Sequence, residues 1–567
     1  MQSNSKKNKL ILGITTLLIS LIIINLVGNA WFFRLDLTAE KRFSLTKTTK
    51  TALKNLTDDI YITVYLDGDE IPTGFKRLRK AIYEMIREYE IYANTEIIFS
   101  FETPARDAKQ ETKEKVYKEL IAQGLKYYTV FENLPDGTRK QVVLFPSAKI
   151  SYGNKSVAVN FLKSSPGADA DQNLNFSIEN IEYELTAAIQ KLQTTEKPKI
   201  AFIRGHAELH EYYLESAKRL LEEQFEVFRG TIEGKTGVLN QFKAIIISKP
   251  LKPFSEADKY VIDQYIMQGG NVLWLIDGAN TDMDSLQHAP FTVSMPLDLN
   301  LSDQLFKYGV RINSNLLQHA QCAQIGLNTS QDQFGKPEIA FFPWYYYPLL
   351  FSNNNHPVNR YIETIKSNFV SNIDTVGNNA KIQKTILLAT LNNTRIASVP
   401  EKISFDLIDM KTTADVFNKP AQPVAVLLEG EFESVFKNRA RYLPGVDMMA
   451  HLDKSLPTKQ IVVADGDLIK NEVLASGKPL PMAFDPISGV EFKGNSEFLL
   501  NAINYLTDNS GLMALKSRQL KLRLLEKEHL YEYRNQWQWF NTGIPLVIVL
   551  LASLLYVFYR KKKYTNF

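Results

Sequence analysis

Lys199-Ile200-Ala201-Phe202-Ile203-Arg204-Gly205-His206-Ala207-Glu208 is the stretch on which the fold class turns. A short apolar run stops at Arg204-Gly205-His206, and a helical pattern follows over 208–223. Phe225-Glu226-Val227-Phe228 reads as a second strand. Ala244-Ile245-Ile246-Ile247-Ser248, closed by Lys249-Pro250, reads as a third. Ser255 is placed to cap a helix reaching Met267, with Glu256 and Asp258 in the first turn, where carboxylates favour the helix dipole. Gly269-Gly270 stops that helix, and Val272-Leu273-Trp274-Leu275-Ile276 is a fourth strand. Strands that are apolar along their whole length belong in a sheet covered on both faces, and alternation with helices makes that sheet parallel. The expectation is a doubly wound α/β domain, of flavodoxin or glutamine-amidotransferase type, within residues 172–510.

Downstream of Asp277 the pattern is sparser: a helix over 299–308, strands at 385–390, 424–428 and 460–464, and a helix over 497–506. Upstream, 34–163 reads as a separate unit. Ile60-Tyr61-Ile62-Thr63-Val64-Tyr65-Leu66 is a strand, 72–92 an amphipathic helix, and Ile97-Ile98-Phe99-Ser100-Phe101 a second strand. A charged helix over 111–123 and strand-like segments at 127–132, 141–146 and 156–162 complete a βαβαββ order, which resembles a thioredoxin-like layer. No Cys-x-x-Cys occurs, so the redox chemistry of that fold is absent. Ser164 to Asp171 reads as a linker, and 178–192 as a helix leading into the second domain.

The two ends of the chain carry the membrane signal. Leu10–Phe33 is uncharged and long enough to cross a hydrocarbon core, with Lys6, Lys7 and Lys9 before it. Gly28-Asn29-Ala30 loosely resembles a signal-cleavage site, but the apolar stretch exceeds an ordinary signal core. The second span runs from Trp539 to Tyr559, followed by Arg560, Lys561, Lys562 and Lys563; residues 511–538 lead up to it, with a strand-like alternation at Leu520, Leu522 and Leu524. Basic flanks put both termini in the cytoplasm and the large middle region in the periplasm, anchored to the inner membrane. At 567 residues the chain needs several cores. A mean hydropathy of −0.19 excludes a polytopic channel. Lys+Arg of 66 against Asp+Glu of 62 argues against nucleic acid as a partner. The lone Cys322 excludes an intrachain disulfide and a Cys-cluster zinc site.

Chemistry-bearing motifs are few. Arg204, Gly205, His206 and Glu208 sit on the turn after the first strand of the α/β domain, at the edge where such sheets bind ligands, and are the candidate ligand-binding residues. The same residues also suit a structural turn, with Glu208 favoured at a helix start. His206 and His210 are four apart, yet the intervening Ala-Glu-Leu lacks the zincin pattern, so no metal is expected. There is no phosphate-binding Gly-x-x-x-x-Gly-Lys-Ser/Thr loop and no nucleophile elbow; no cofactor and no catalytic residue are expected. Cys322 reads as a small packed thiol or, beside His319, a nucleophile. Trp344-Tyr345-Tyr346-Tyr347 suits core packing or the stacking of a partner. Lys437, Arg439 and Arg441 suit a solvated face or an acidic partner.

Along nearly its whole length the sequence resembles the gliding-associated ABC transporter substrate-binding (GldG) family, within the wider group of auxiliary domains of uncharacterised ABC transport systems. The resemblance rests on the two anchors, on Asp36-Leu37-Thr38-Ala39-Glu40-Lys41-Arg42-Phe43-Ser44-Leu45-Thr46, and on Gly205-His206-Ala207-Glu208. It extends to Asp263-Gln264-Tyr265-Ile266 with Gly269-Gly270, and to Gly430-Glu431-Phe432-Glu433-Ser434-Val435-Phe436. The family has Gly where this chain has Ala207, which argues against an unusual backbone conformation in that turn. The resemblance implies a non-enzymatic extracytoplasmic subunit that works with a separate ATPase and permease in the gliding motility of Bacteroidota, with an unknown extracytoplasmic ligand. Two alternatives stand beside it: a cell-envelope hydrolase using His206 and Glu208 as an acid–base pair, or an adhesion or scaffold protein without transport.

Overall fold

The computed structural model describes residues 13–17, 19–20, 44–516 and 533–564, apart from 69–70, 107, 134–138, 164–167, 195, 332–333, 353–355, 411, 438 and 440–450. Most of the 10–33 segment, residues 36–43, the 520–524 alternation and Arg441 therefore lie outside the described residues. The described residues fall into two compact units, one within 43–518 and the other within 1–42 and 519–567. The architecture is mixed α/β.

The N-terminal part of the larger unit is built on β1 (Ile60–Val64), β2 (Ile97–Phe101), β3 (Tyr128–Asn133), β4 (Arg139–Leu144), β5 (Ser147–Tyr152) and β6 (Lys155–Asn160). The sheet order is β2-β1-β5-β6, with β1 and β2 parallel and the remaining pairs antiparallel. A separate hairpin, β3–β4, is inserted before β5. The expected strand at 141–146 is the second arm of that hairpin. The mixed Ser147-Ala148-Lys149-Ile150-Ser151-Tyr152 stretch, which carries little apolar signal, supplies the strand next to β1. Helices α1 (Lys47–Lys54), α2 (Thr73–Tyr92) and α3 (Gln110–Ala122) surround the sheet. Two helices, α4 (Ala170–Glu179) and α5 (Ile181–Gln193), replace the single one expected, broken at Asn180. Glu182 of α5 holds the start of α1, accepting hydrogen bonds from Thr46 N (2.8 Å), Thr46 Oγ1 (3.0 Å) and Thr49 Oγ1 (2.8 Å).

The large sheet holds β7 (Lys199–Arg204), β8 (Glu226–Thr231), β9 (Ala244–Ser248), β10 (Asn271–Leu275), β11 (Cys322–Gln331), β12 (Pro337–Ser352), β13 (Ile382–Ala389), β14 (Pro423–Gly430) and β15 (Thr458–Val463). Five strands in the order β8-β7-β9-β10-β15 are parallel; β14, β13, β12 and β11 then add in antiparallel steps. Alternate residues feed two cores. Ile200, Phe202, Ile246, Leu273, Leu275 and Ile461 meet α6 (Glu211–Glu222) and, through Phe498, Ala502 and Ile503, the helix Gly494–Thr507. Ala201, Ile203, Ile245, Ile247, Trp274 and Val462 meet α7 (Glu256–Met267) and the short Ser302–Tyr308 helix. Each such aliphatic side chain taken fully out of water contributes roughly 1.5–3 kcal/mol, which is why these strands show no polar alternation.

In the smaller unit, Arg534–Tyr564 is one helix of 31 residues with Pro545 inside it. Its apolar side chains stand exposed, Leu555 at 70% and Phe558 at 72%. At 1.5 Å per residue it is about 45 Å long, enough for a hydrocarbon core.

Candidate functional site

In an open parallel sheet, ligands enter where the chain reverses its direction of winding, at the carboxyl ends of the strands. Here that point lies between β7 and β9, and the turn after β7 carries Arg204, Gly205, His206 and Glu208. The helix that follows begins at Glu211 with His210 as its N-cap, so Glu208 lies in the turn and not at the helix start. Its carboxylate does a different job. One oxygen accepts from Gly205 N and His206 N, both at 2.8 Å; the other stands 3.2 Å from His206 Nδ1. The Glu208 side chain is 1% exposed.

His206 is buried as well. Nε2 lies 3.1 Å from Asp258 Oδ2, and the ring stacks on Phe254. Its carbonyl accepts from Leu251 N at 2.9 Å and Lys252 N at 3.0 Å, and Leu209 N donates to Ser248 O at 3.1 Å, so the turns after β7 and β9 are stitched together. Asp258 is itself spent, accepting also from Gly234 N and Ser255 Oγ. Burial disfavours the imidazolium, but Glu208 and Asp258 outweigh it and hold His206 above the ordinary imidazole range. A protonated ring donates from both nitrogens and has no acceptor left for a substrate proton. Arg204 and Gly205 remain exposed beside this closed knot.

Ala207 corrects an expectation. Its φ is +56°, and Gly205 before it has φ +131°. The turn does require left-handed backbone, and the alanine adopts it at a cost of ~1–2 kcal/mol, which explains a glycine preference at that position.

A second cluster, which the sequence reading missed, lies at the carboxyl ends of β9, β10 and β15. Lys249 Nζ pairs with Asp467 and stands 3.5 Å from Asp277 Oδ2; Asp465 completes the group. Burial opposes the ammonium, but Asp467 and Asp277 overcome this and raise its pKa. Burial drives the carboxyls of Asp277 and Asp465 upward as well, against the pull of Lys249. Gly466 N donates to Asp277 Oδ1 at 2.5 Å, and a Cβ on Gly466 would sit 2.7 Å from Lys249 Cβ. The available signal was a charged residue directly after each apolar strand: Lys249-Pro250, Asp277-Gly278 and Asp465-Gly466-Asp467.

The remaining motifs resolve into packing. Trp344 to Tyr347 are buried within β12. Burial pushes the Cys322 thiol up to about 12, which disfavours a thiolate nucleophile. Arg439 pairs with Asp303 and Glu256, and Lys437 with Glu433. His210 caps α6 and its ring lies tilted against that of Tyr212. Among the described residues no group of His, Cys, Asp and Glu has the arrangement to hold a metal ion.

Residues 197–502 match the protein family described as an ABC-type uncharacterized transport system. The chain belongs to that family. Residues 39–151 match a domain of unknown function, DUF7088. An uncharacterized protein of Borreliella burgdorferi is 20% identical over 345 residues, covering 60% of this chain; the chain spans 61% of the length of that relative. Among solved structures, the mmIFT52 N-terminal domain is 13% identical, with 55% of this chain and 98% of that one covered at a TM-score of 0.31. A putative ThuA-like protein of Parabacteroides merdae is 10% identical, with 55% and 90% covered at a TM-score of 0.26.

Two segments that carried the family resemblance turn out to hold each other. Asp263, buried in α7, accepts hydrogen bonds from Ser434 Oγ (2.6 Å), Val435 N (3.0 Å) and Tyr308 Oη (2.8 Å). The Asp263–Ile266 and Gly430–Phe436 stretches thus form one structural clasp on the α7 face of the sheet. Gly270 is required beside it, because a Cβ there would strike the Tyr265 ring at 2.3 Å.

Proposed function

We propose that this chain is a membrane-anchored, extracytoplasmic and non-catalytic subunit of an ABC transporter of the gliding-associated branch, acting with a separate ATPase and a separate permease. Its carrying observation is the transport-system family match over 197–502, in a chain that ends in an exposed apolar helix. Arg560, Lys561, Lys562 and Lys563 follow the apolar stretch, which favours a cytoplasmic C-terminus and a periplasmic main unit. The N-terminal span rests on the sequence of Leu10–Phe33. The strand order β2-β1-β5-β6 supports a thioredoxin-like layer, and β8-β7-β9-β10-β15 a flavodoxin-like one. A non-catalytic role is supported by the state of the Gly-His turn, where His206 and Glu208 spend their hydrogen-bonding capacity on each other, on Asp258 and on the backbone.

Purification of the tagged chain from native membranes in a mild detergent tests the reading. An ATPase bearing a phosphate-binding loop and a polytopic permease co-elute with it; recovery of the chain without either overturns the assignment.

A further inference from the structure

The chain enters and leaves the larger unit at one place. Thr46 and Thr49, at the start of α1, are held by Glu182 of α5, and Thr49 Oγ1 also lies 3.1 Å from Thr186 Oγ1. The departing chain returns to the same helix. Ser510 Oγ donates to Gln190 Oε1 at 3.4 Å, and Tyr183 Oη lies 3.6 Å from Met513 Sδ, in the short helix Leu512–Lys516. Thr48 Oγ1 joins the two ends directly, donating to Ser510 O at 3.0 Å. Residues 34–43 lead from this point back to the apolar segment Leu10–Phe33, and residues 517–533 lead forward to the helix Arg534–Tyr564. Segments 1–42 and 519–567 together make up the smaller unit.

The Arg534–Tyr564 helix carries a groove along one side. Gln536, Phe540, Gly543 and Val547 line it at intervals of three and four residues, the spacing of a seam for a second helix. A Cβ on Gly543 would meet nothing within 4 Å, while Phe540 and Val547 stand 61% and 54% exposed on either side, so an open notch lies between them. Small residues at such a place let two helix backbones approach closely. The first apolar segment matches the notch in depth. Counted from the ends nearest the larger unit, Phe33 and Trp539, Gly28 is five residues in and Gly543 four. At ~1.5 Å per residue the two glycines come to nearly one level in antiparallel helices. Asn25 is eight residues in, level with Val547, and its amide favours a helical neighbour over lipid.

We infer that the groove at Gly543 is filled by Leu10–Phe33 of the same chain, the two segments forming an antiparallel pair within the membrane. A permease helix would compete for that groove with a segment tethered to the same point, whose effective concentration is on the order of millimolar. The inference rests on the membrane anchoring proposed above.

The test is oxidative crosslinking of the full chain in native membranes, in a Cys322→Ser background. Val547→Cys is combined in turn with Ile23→Cys, Ile24→Cys, Asn25→Cys and Leu26→Cys, which sample every side of the first helix. Val549→Cys, about 200° round the second helix from Val547, is the control. At least one of the four forms an intrachain disulfide with V547C, seen as protease fragments that stay joined until reduced, and the same position forms none with V549C. Adding Gly543→Leu to the reactive pair removes the crosslink. Interchain disulfides, equal yields from V547C and V549C, or a crosslink unchanged by G543L overturn the pairing. Alkaline carbonate separates the two readings: a chain stripped from the membrane overturns the anchoring itself, whereas an embedded chain without the crosslink overturns the pairing alone.

Discussion

The imidazole of His206 lies flat against the ring of Phe254, with centroids 3.7 Å apart and 16° between planes. Glu208 and Asp258 grip its two nitrogens, so one side chain joins the turn after β7 to the start of α7. The folded state favours the imidazolium, and His206 is raised above its ordinary value. The stability it contributes is therefore fully present below about pH 6.5, the unfolded imidazole value, and is lost as pH rises through the folded value. Thermal unfolding of the unmodified chain and of His206→Asn measures this. The gap between their midpoints is widest near about pH 6 and narrows toward about pH 9. A gap independent of pH would show that the ring is not held as a cation.

Ala207 supplies a second test in the same turn. At φ +56° it carries left-handed strain that glycine does not feel. Glycine also adds freedom to the unfolded chain, which offsets part of the gain. Ala207→Gly is expected to stabilise the protein by ~0.5–1 kcal/mol, whereas Ala201→Gly, within the buried β7 strand, destabilises it. Denaturant midpoints of the two variants should move in opposite directions. Destabilisation by both would mean that the turn tolerates alanine without strain.

What was legible in the chain follows from which constraints are local. Ile200–Ile203, Ala244–Ile247 and Val272–Leu275 were readable as strands because burial on both faces demands an unbroken apolar run. The antiparallel half was less so: β11 is an edge strand whose Asn328, Thr329 and Ser330 carry no such demand. His206 and Glu208 were found together because they are two residues apart. Asp258 is 52 residues from His206, and Asp467 is 218 from Lys249. Only the parallel register of β9, β10 and β15, which aligns Leu275 with Ser248 and Val463, brings those last charges to one edge.

The Lys249 cluster has one ammonium among three buried carboxyls, so removing the cation leaves uncompensated charge. Lys249→Met is expected to cost ~3–5 kcal/mol, the range for breaking a buried ion pair from one side. Pairing it with Asp467→Leu removes the carboxylate stranded by the first change and should recover a large part of that loss. A double-mutant cycle read by chemical denaturation reports the coupling. Additive losses would mean that the two side chains do not interact across the cluster.

Gly430 opens the segment that clasps Asp263, and its geometry admits no side chain. Its φ is +141°, and a Cβ would lie 1.9 Å from the Lys381 carbonyl oxygen. That atom belongs to the backbone of the chain entering β13, so relief requires β13 and β14 to part where Ile382 pairs with Gly430. Gly377 is the control: φ is +75° and nothing lies within 4 Å of the added Cβ. Gly377→Ala is expected to cost only the left-handed backbone penalty of ~1–2 kcal/mol, while Gly430→Ala exceeds ~3 kcal/mol because the collision adds to it. Unfolding midpoints of the two variants under one set of conditions give the comparison. Equal losses would show that the Gly430 backbone yields without disturbing the β13–β14 pairing, and that the clasp at Asp263 does not depend on it.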